Sequence, residues 1–521
     1  MSYRGFTAPI PLGRYGLVGT SRIIKVPVGA LIEARNIKYS RGTVDRTGGS
    51  VKYTSGDLSG VPSVLGLLDW WPTTAAQRVL AYTNAGAILR DDGDGTFPTS
   101  MKTGLNVGVP FWLCAGQEAL GNVRIALFTD GIDVVQVVSG DAATTANIAS
   151  TKPSDWSGTN QPKFFVLHNN RVWGGLGHRM YFSTIDNHCD FQGAGSGTVP
   201  IYPGRSKYLQ GGISWNGRLW LWKYPKGLYW IDDSSTDVTA WICHEHSPNV
   251  GLAGPNAQAV GDNDVYFLSE VGHVMRLSGI QEWGDVGKAD LTALNDLTEW
   301  TRENVNLTAD ALATAEARYY SESKEVHFAV RGIGSSTKNL RIIVDLNLDV
   351  PRIRVEDKDI CQALALWTDG NGIERLLAGD ASGNVWKLDQ DTLSIGGLGY
   401  TAQFQTPHDD FSWLDGKLET LDKNFAFLEV VMRPVGNYDL SVDVWIDGDY
   451  SHTVTFNMGG SGAALDAFVL DTDRLAGDVV KNLRKRLKGS GRRLSLVGRV
   501  YDAGSDFRLS ELLVSFGAGA E

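Results

Sequence analysis

A short phrase recurs along this chain about every 45 residues, a turn with glycine followed by a brief apolar strand that in half of the copies carries a tyrosine or tryptophan. It reads Gly86-Ala87-Ile88-Leu89, Gly131-Ile132-Asp133-Val134, Gly177-His178-Arg179-Met180-Tyr181, Gly227-Leu228-Tyr229-Trp230 and Gly272-His273-Val274-Met275, and returns as Gly383-Asn384-Val385-Trp386. The first five glycines lie 45, 46, 50 and 45 residues apart, and the last step of 111 is about two periods. That period is the length of one four-stranded propeller blade with its turns. Two further strands near 325 fill the missing beat, which gives about seven blades, or six if the weak unit is an insertion. The composition agrees: 61 Gly supply many tight turns, and 16 Trp suit packing between flat sheets.

The repeat occupies residues 61–395, interrupted by a segment of helical character at 289–317, where Leu291, Leu294, Leu297 and Trp300 recur at three-residue steps. Residues 1–60 are not repeat-like and read as an extended docking segment, with a hairpin expected between Ile37-Lys38-Tyr39 and Val51-Lys52-Tyr53. Beyond Tyr400 longer alternating strands, 426–432 and 440–446, predict a β-sandwich over 396–521, with a basic helix at 478–488. The fold class is therefore all-β: a propeller with an additional C-terminal sandwich.

Candidate sites are few. Asp91-Asp92-Gly93-Asp94-Gly95 has the oxygen density calcium prefers, without the spacing or terminal Glu of a calcium loop. Cys243-His244-Glu245-His246 offers metal-ligand chemistry, with His188-Cys189-Asp190 the one candidate partner cluster. Packed histidines are the better reading, and no metal or cofactor is assigned. No nucleophile elbow, P-loop or dinucleotide fingerprint occurs, so no catalytic residue is expected and the chain reads as a non-enzyme. The aromatic set Trp215, Trp220, Trp222, Tyr229 and Trp230 suits a sheet core better than a sugar platform. One basic run stands out. On a helix, Lys481, Arg484, Lys485 and Lys488 share a face, and with Arg492 and Arg493 they form the candidate contact with DNA or an acidic partner.

The net charge of −11 argues against general affinity for nucleic acid. The four cysteines include no CxxC pair and read as reduced thiols. Residues 1–19 contain Arg4, Pro9, Pro11 and Arg14 without an apolar run, and no stretch approaches a membrane span, so synthesis in a cytoplasm without membrane insertion is expected.

The segment Gly29-Ala30-Leu31-Ile32-Glu33-Ala34-Arg35-Asn36-Ile37, followed by Gly42-Thr43-Val44-Asp45-Arg46-Thr47-Gly48-Gly49, resembles the N-terminal signature of tail nozzle proteins of short-tailed bacteriophages. These are also called tail tubular protein B, and packaged-DNA stabilisation proteins are related. The tail domain, from Thr406 through Lys423 to Asp447-Gly448, is similar to the C-terminal module of that family. The specific motif spans a short stretch, with Thr47 where a proline or small residue is common.

The resemblance implies a structural virion protein: a propeller with added β-domains, assembled as a homo-hexameric ring below the portal and adaptor. Such a ring would carry tail fibres or spikes and pass double-stranded DNA without sequence specificity. It would retain packaged DNA and permit its ejection, with the 289–317 excursion and the Arg474–Arg493 segment as candidate gates. The alternative is a propeller that binds or cleaves glycans, as a receptor-binding protein or depolymerase does. A plain scaffold in another assembly is the third reading.

Overall fold

The computed structural model of the chain describes residues 4–19, 26–40, 43–116, 123–148, 151–185, 187–278, 287–348, 350–433, 435, 438–459 and 480–518. Gly42, Arg474 and most of the basic run's approach lie outside them.

The described residues form a β-propeller. Six self-contained four-stranded antiparallel sheets cover 64–102, 111–147, 164–200, 208–247, 258–290 and 363–390, the last completed by Gly49–Lys52 from the N-terminal region. Between the fifth and the last stands a seventh four-stranded meander, 316–356, which continues into a nine-stranded sheet. Units are numbered here in chain order, so this meander is the sixth and 363–390 the seventh. The first strands of neighbouring units pack side by side around the centre.

The recurrent glycine has a conformational cause. Gly86, Gly131, Gly177, Gly227, Gly272 and Gly383 all have positive φ, between 59° and 135°. Each turns the chain into the third strand of its blade, where L-residues are strained. At Gly86 an added Cβ would also lie 1.9 Å from the Leu105 carbonyl oxygen. The sixth unit lacks the phrase because its second and third strands, Glu325–Val330 and Leu340–Asp345, are joined by a longer connection through Gly334.

Beyond the ring two sheets face each other. One contains Ile37–Ser40, Thr43–Arg46, Arg508–Ala518, Lys423–Met432 and Lys481–Arg486, with Arg4–Pro11 pairing along Arg508–Ala518. The other runs through Glu33–Arg35, Ala402–Gln405, Leu494–Val500, Asp439–Ile446 and Asp449–Asn457. Ile10, Phe404, Val430, Val442, Leu496, Val514 and Phe516 fill the space between them, all buried. Glu33–Arg35 lies parallel to Arg352–Glu356 and antiparallel to Ala402–Gln405, so one continuous sheet joins the ring to the outer layer.

Two expectations change. Residues 481–486 are a strand, not part of a helix: Leu483 and Lys485 sit opposite Val430 and Leu428 in a ladder with Lys423–Met432. Strands 426–432 and 440–446 lie in the two opposite sheets. Ile37–Ser40 pairs with Thr43–Arg46, while Gly49–Lys52 leaves to close the last blade.

The 289–317 excursion holds three short helices, Leu291–Leu294, Thr298–Asn304 and Ala309–Ala313. Its Leu291, Leu297, Val305 and Leu312 are buried in the main core. His273 Nδ1 lies 2.7 Å from Asp290, which caps the first helix, and Gly19 N donates to the Asn295 carbonyl at 2.9 Å. The segment is bolted to the blade and to the N-terminal region.

Candidate functional site

The residues carrying the family-like signature converge on the joint between ring and outer sheets. Asn36, held at φ 54°, donates to Asp357 Oδ1 at 2.8 Å and to the Thr401 carbonyl at 2.7 Å, and accepts from the Asp357 amide. The Arg46 guanidinium lies 4.0 Å over the Tyr400 ring and donates to the carbonyls of Tyr400, Asp502 and Ser505. Lys358 donates to Thr47 Oγ1 and to the Gly48 carbonyl. A planar five-donor fork matches several carbonyls at once, which explains arginine at this position.

Beneath these lies a buried ionic cluster. Arg341 pairs with Glu356, Asp359 and Asp389; Lys358 pairs with Glu356 and Asp389; Arg354 pairs with Glu325 and Glu356. His327 sits between Glu325 and Arg341, 3.3 Å from each. Burial pushes the Glu325 carboxyl up, but Arg354 and His327 outweigh it and hold the group at about 2. Burial likewise opposes charge on Asp389, and Lys358 and Arg341 keep it well below the usual carboxylate range. Asp359, whose burial dominates, is raised, and Ser50 donates to it at 2.7 Å. Every cation here has a carboxylate within contact distance. The cluster therefore suits a rigid joint rather than proton transfer.

The other sequence candidates separate. Arg484, Lys485, Arg486, Lys488, Arg492 and Arg493 are exposed along one sheet edge and the turn beyond it. Strand alternation puts Lys481, Leu483 and Lys485 on one face and Arg484 and Arg486 on the other. The single helical face expected for Lys481, Arg484, Lys485 and Lys488 does not form. Arg484 stacks over Phe427 at 3.9 Å.

In the acidic turn, buried Asp91 accepts from the Tyr53 hydroxyl and the Gly95 amide, and Asp94 accepts from Thr96. His244 stacks on Trp230 at 4.4 Å and His246 meets Trp220 edge-on at 5.2 Å. The described residues contain no group of three metal-ligating side chains. Trp220 and Trp222 are fully buried, and Trp215 donates to the Asn263 carbonyl of the next blade, so these aromatics are core.

One constellation has no sequence signal. His168 Nδ1 lies 2.7 Å from Ser214 Oγ, and its Nε2 lies 3.2 Å from Asp233, whose carboxylate also accepts from Asn169 at 2.7 Å. Burial alone would raise the Asp233 carboxyl; the His168 ring and the Asn169 amide outweigh it and lower it. Serine, histidine and aspartate in this order can activate a hydroxyl. A working base must also reach the leaving group, and the His168 side chain is only 1% exposed, wedged between the third and fourth blades.

The same kind of contact recurs at other boundaries. Tyr319 donates to Asp262 at 2.7 Å, Ser321 to Glu374 at 2.8 Å, and Gln77 to the Thr368 carbonyl at 2.8 Å. The Ser214 cluster is one clamp in this belt of turn-to-turn bonds.

One side-chain bond joins two blades that are not neighbours. Asn256 Nδ2, at the start of the fifth blade, donates to the Pro110 carbonyl, at the start of the second, at 2.5 Å. Blades two and five are not neighbours in the ring, so the bond links two separated blades. A glycan site of the axial type needs an open central cavity with converging polar groups; this bond ties two blades together.

No family model matches the chain, and no curated protein matches it in sequence. Among solved structures it is similar to the extracellular domain of a one-component system from B. thetaiotaomicron, at 11% identity and a TM-score of 0.36. That match covers 79% of this chain and 48% of the other, so the chain spans about half that domain's length. It is also similar to BamB from Moraxella catarrhalis, at 12% identity and a TM-score of 0.37 over 68% of this chain and 96% of BamB. Both are distant similarities of fold.

Proposed function

We propose that this chain is a structural virion protein of the tail-nozzle type. Six copies build a ring below the portal and adaptor that prolongs the DNA channel, retains packaged DNA and lets it leave on ejection. The subunits are made in the host cytoplasm and finish in the tail, where the ring offers attachment to fibres or spikes. One observation carries this reading. The signature residues Asn36, Arg46 and Thr47 are the fittings that lock the outer sheets onto the ring of blades, which suits one stiff wall element.

Two further features support it. Turn-to-turn clamps stiffen the blades against each other. A bond between Asn256 and the Pro110 carbonyl ties two separated blades together. A net charge of −11 suits a wall that DNA slides past, because a surface that binds phosphate would slow ejection.

Electron microscopy of the purified chain tests the reading. A six-fold ring with an axial hole is expected. A protein that stays monomeric at all concentrations contradicts it.

A further inference from the structure

Charge is unevenly placed on this chain. The blade-bearing stretch 64–390 carries 37 acidic and 26 basic side chains, net −11. Residues 480–518 carry nine basic and three acidic side chains, net +6. Much of that positive charge follows one strand, Lys481–Arg486, and the turn after it. Among the described residues this strand is hydrogen-bonded on one side only, to Lys423–Met432. Its rise of about 3.4 Å per residue sets Arg484 and Arg486 about 7 Å apart on the outer face. Lys488 continues the exposed row.

An open edge is a template for another chain, and rows of Arg and Lys are a known defence against that. Two such edges brought together would oppose like charges across the ladder and repel. A symmetric dimer through this edge is therefore disfavoured. The complementary surface within reach of every copy is the acidic propeller of another copy. Contact between two different surfaces is heterologous, and heterologous contacts form a ring where the rotation between copies closes, an open filament where it does not. A duplex is the weaker occupant, since the acidic remainder of the chain repels it.

We infer that the basic edge centred on Arg484, Arg486 and Lys488 docks against the acidic propeller surface of a second copy, head to tail. This contact, which rests on the ring reading above, supplies the subunit interface of that ring. Opposite charges across the interface speed association and suppress wrong pairings.

The test uses the full-length chain, with mass measured in solution across a salt series and by microscopy. Wild type is expected to assemble at low salt and to lose association as salt rises to roughly 0.5 M, where screening is short-ranged. The double variant Arg484→Glu/Arg486→Glu should associate at least about tenfold more weakly. A second variant, Arg486→Glu/Lys488→Glu, leaves the Arg484–Phe427 stack in place and should behave alike, which separates docking from folding damage.

Mixing adds a sharper readout. A variant without the basic edge still presents its acidic face, so it should cap wild-type assemblies as short open oligomers. Rings that form normally from both variants overturn the inference and leave the ring reading standing. A wild type that is monomeric at low salt overturns both. Duplex binding lost in the variants, with unaltered self-association, also overturns the inference and assigns the edge to DNA.

Discussion

Asn256 donates to the carbonyl of Pro110 at 2.5 Å, joining the starts of the fifth and second blades. Propellers close by strand pairing within blades and by packing between them. Here a side-chain bond also ties two blades that are not neighbours. Replacing Asn256 with Leu leaves the Pro110 carbonyl without this donor and should cost about 1–3 kcal/mol. The urea midpoint of the variant reads this directly; an unchanged midpoint would mean the bond adds no rigidity.

The recurrent glycines should rank by local geometry. Gly86→Ala meets both a positive φ and a Cβ position 1.9 Å from the Leu105 carbonyl, whereas Gly177, also at positive φ, has open space around it. Gly177→Ala should cost about 1–2 kcal/mol from backbone strain alone, and Gly86→Ala clearly more. Thermal unfolding of the two variants side by side checks the order.

Acid should loosen the joint. The Glu325 carboxyl is held down from 4.5 to about 2 by Arg354 and His327. Its contribution to stability is fully present above the unfolded value and is lost as pH falls through the folded one. Denaturation midpoints should thus decline between about pH 5 and 2. Glu325→Gln should flatten part of that decline while lowering stability at pH 7 by about 3–5 kcal/mol, because Arg354 loses a buried partner.

Arg46→Lys keeps the charge but loses the fork that serves three carbonyls and the stack on Tyr400. The outer sheets should become separable from the blades before global unfolding. Limited proteolysis should then release a fragment near the joint that wild type does not yield. Identical digestion patterns would show that the stack is dispensable.

The parts of this architecture that repeat locally are legible in the sequence, and the parts that depend on distant partners are not. Gly86, Gly131, Gly177, Gly227, Gly272 and Gly383 announce blades because each meets the same turn requirement within a few residues. The strand Lys481–Arg486 reads as a helix because Leu483 and Leu487, four apart, satisfy both a helical face and a strand's alternation. What decides is the ladder to Phe427–Met432, some fifty residues earlier. The N-terminal region misleads for the same reason. Its short strands serve two sheets and a blade, and their partners lie hundreds of residues away. His168, Ser214 and Asp233 come from separate strands and turns, so no spacing could have joined them.

This chain is proposed to wall a channel holding packaged DNA. The direct measurement is nuclease sensitivity of the packaged genome in parent particles assembled without it. Heads that fill but surrender their DNA to nuclease, and recover protection when the purified chain is added back, are the expected result. Particles whose genome stays protected without the chain would contradict the account.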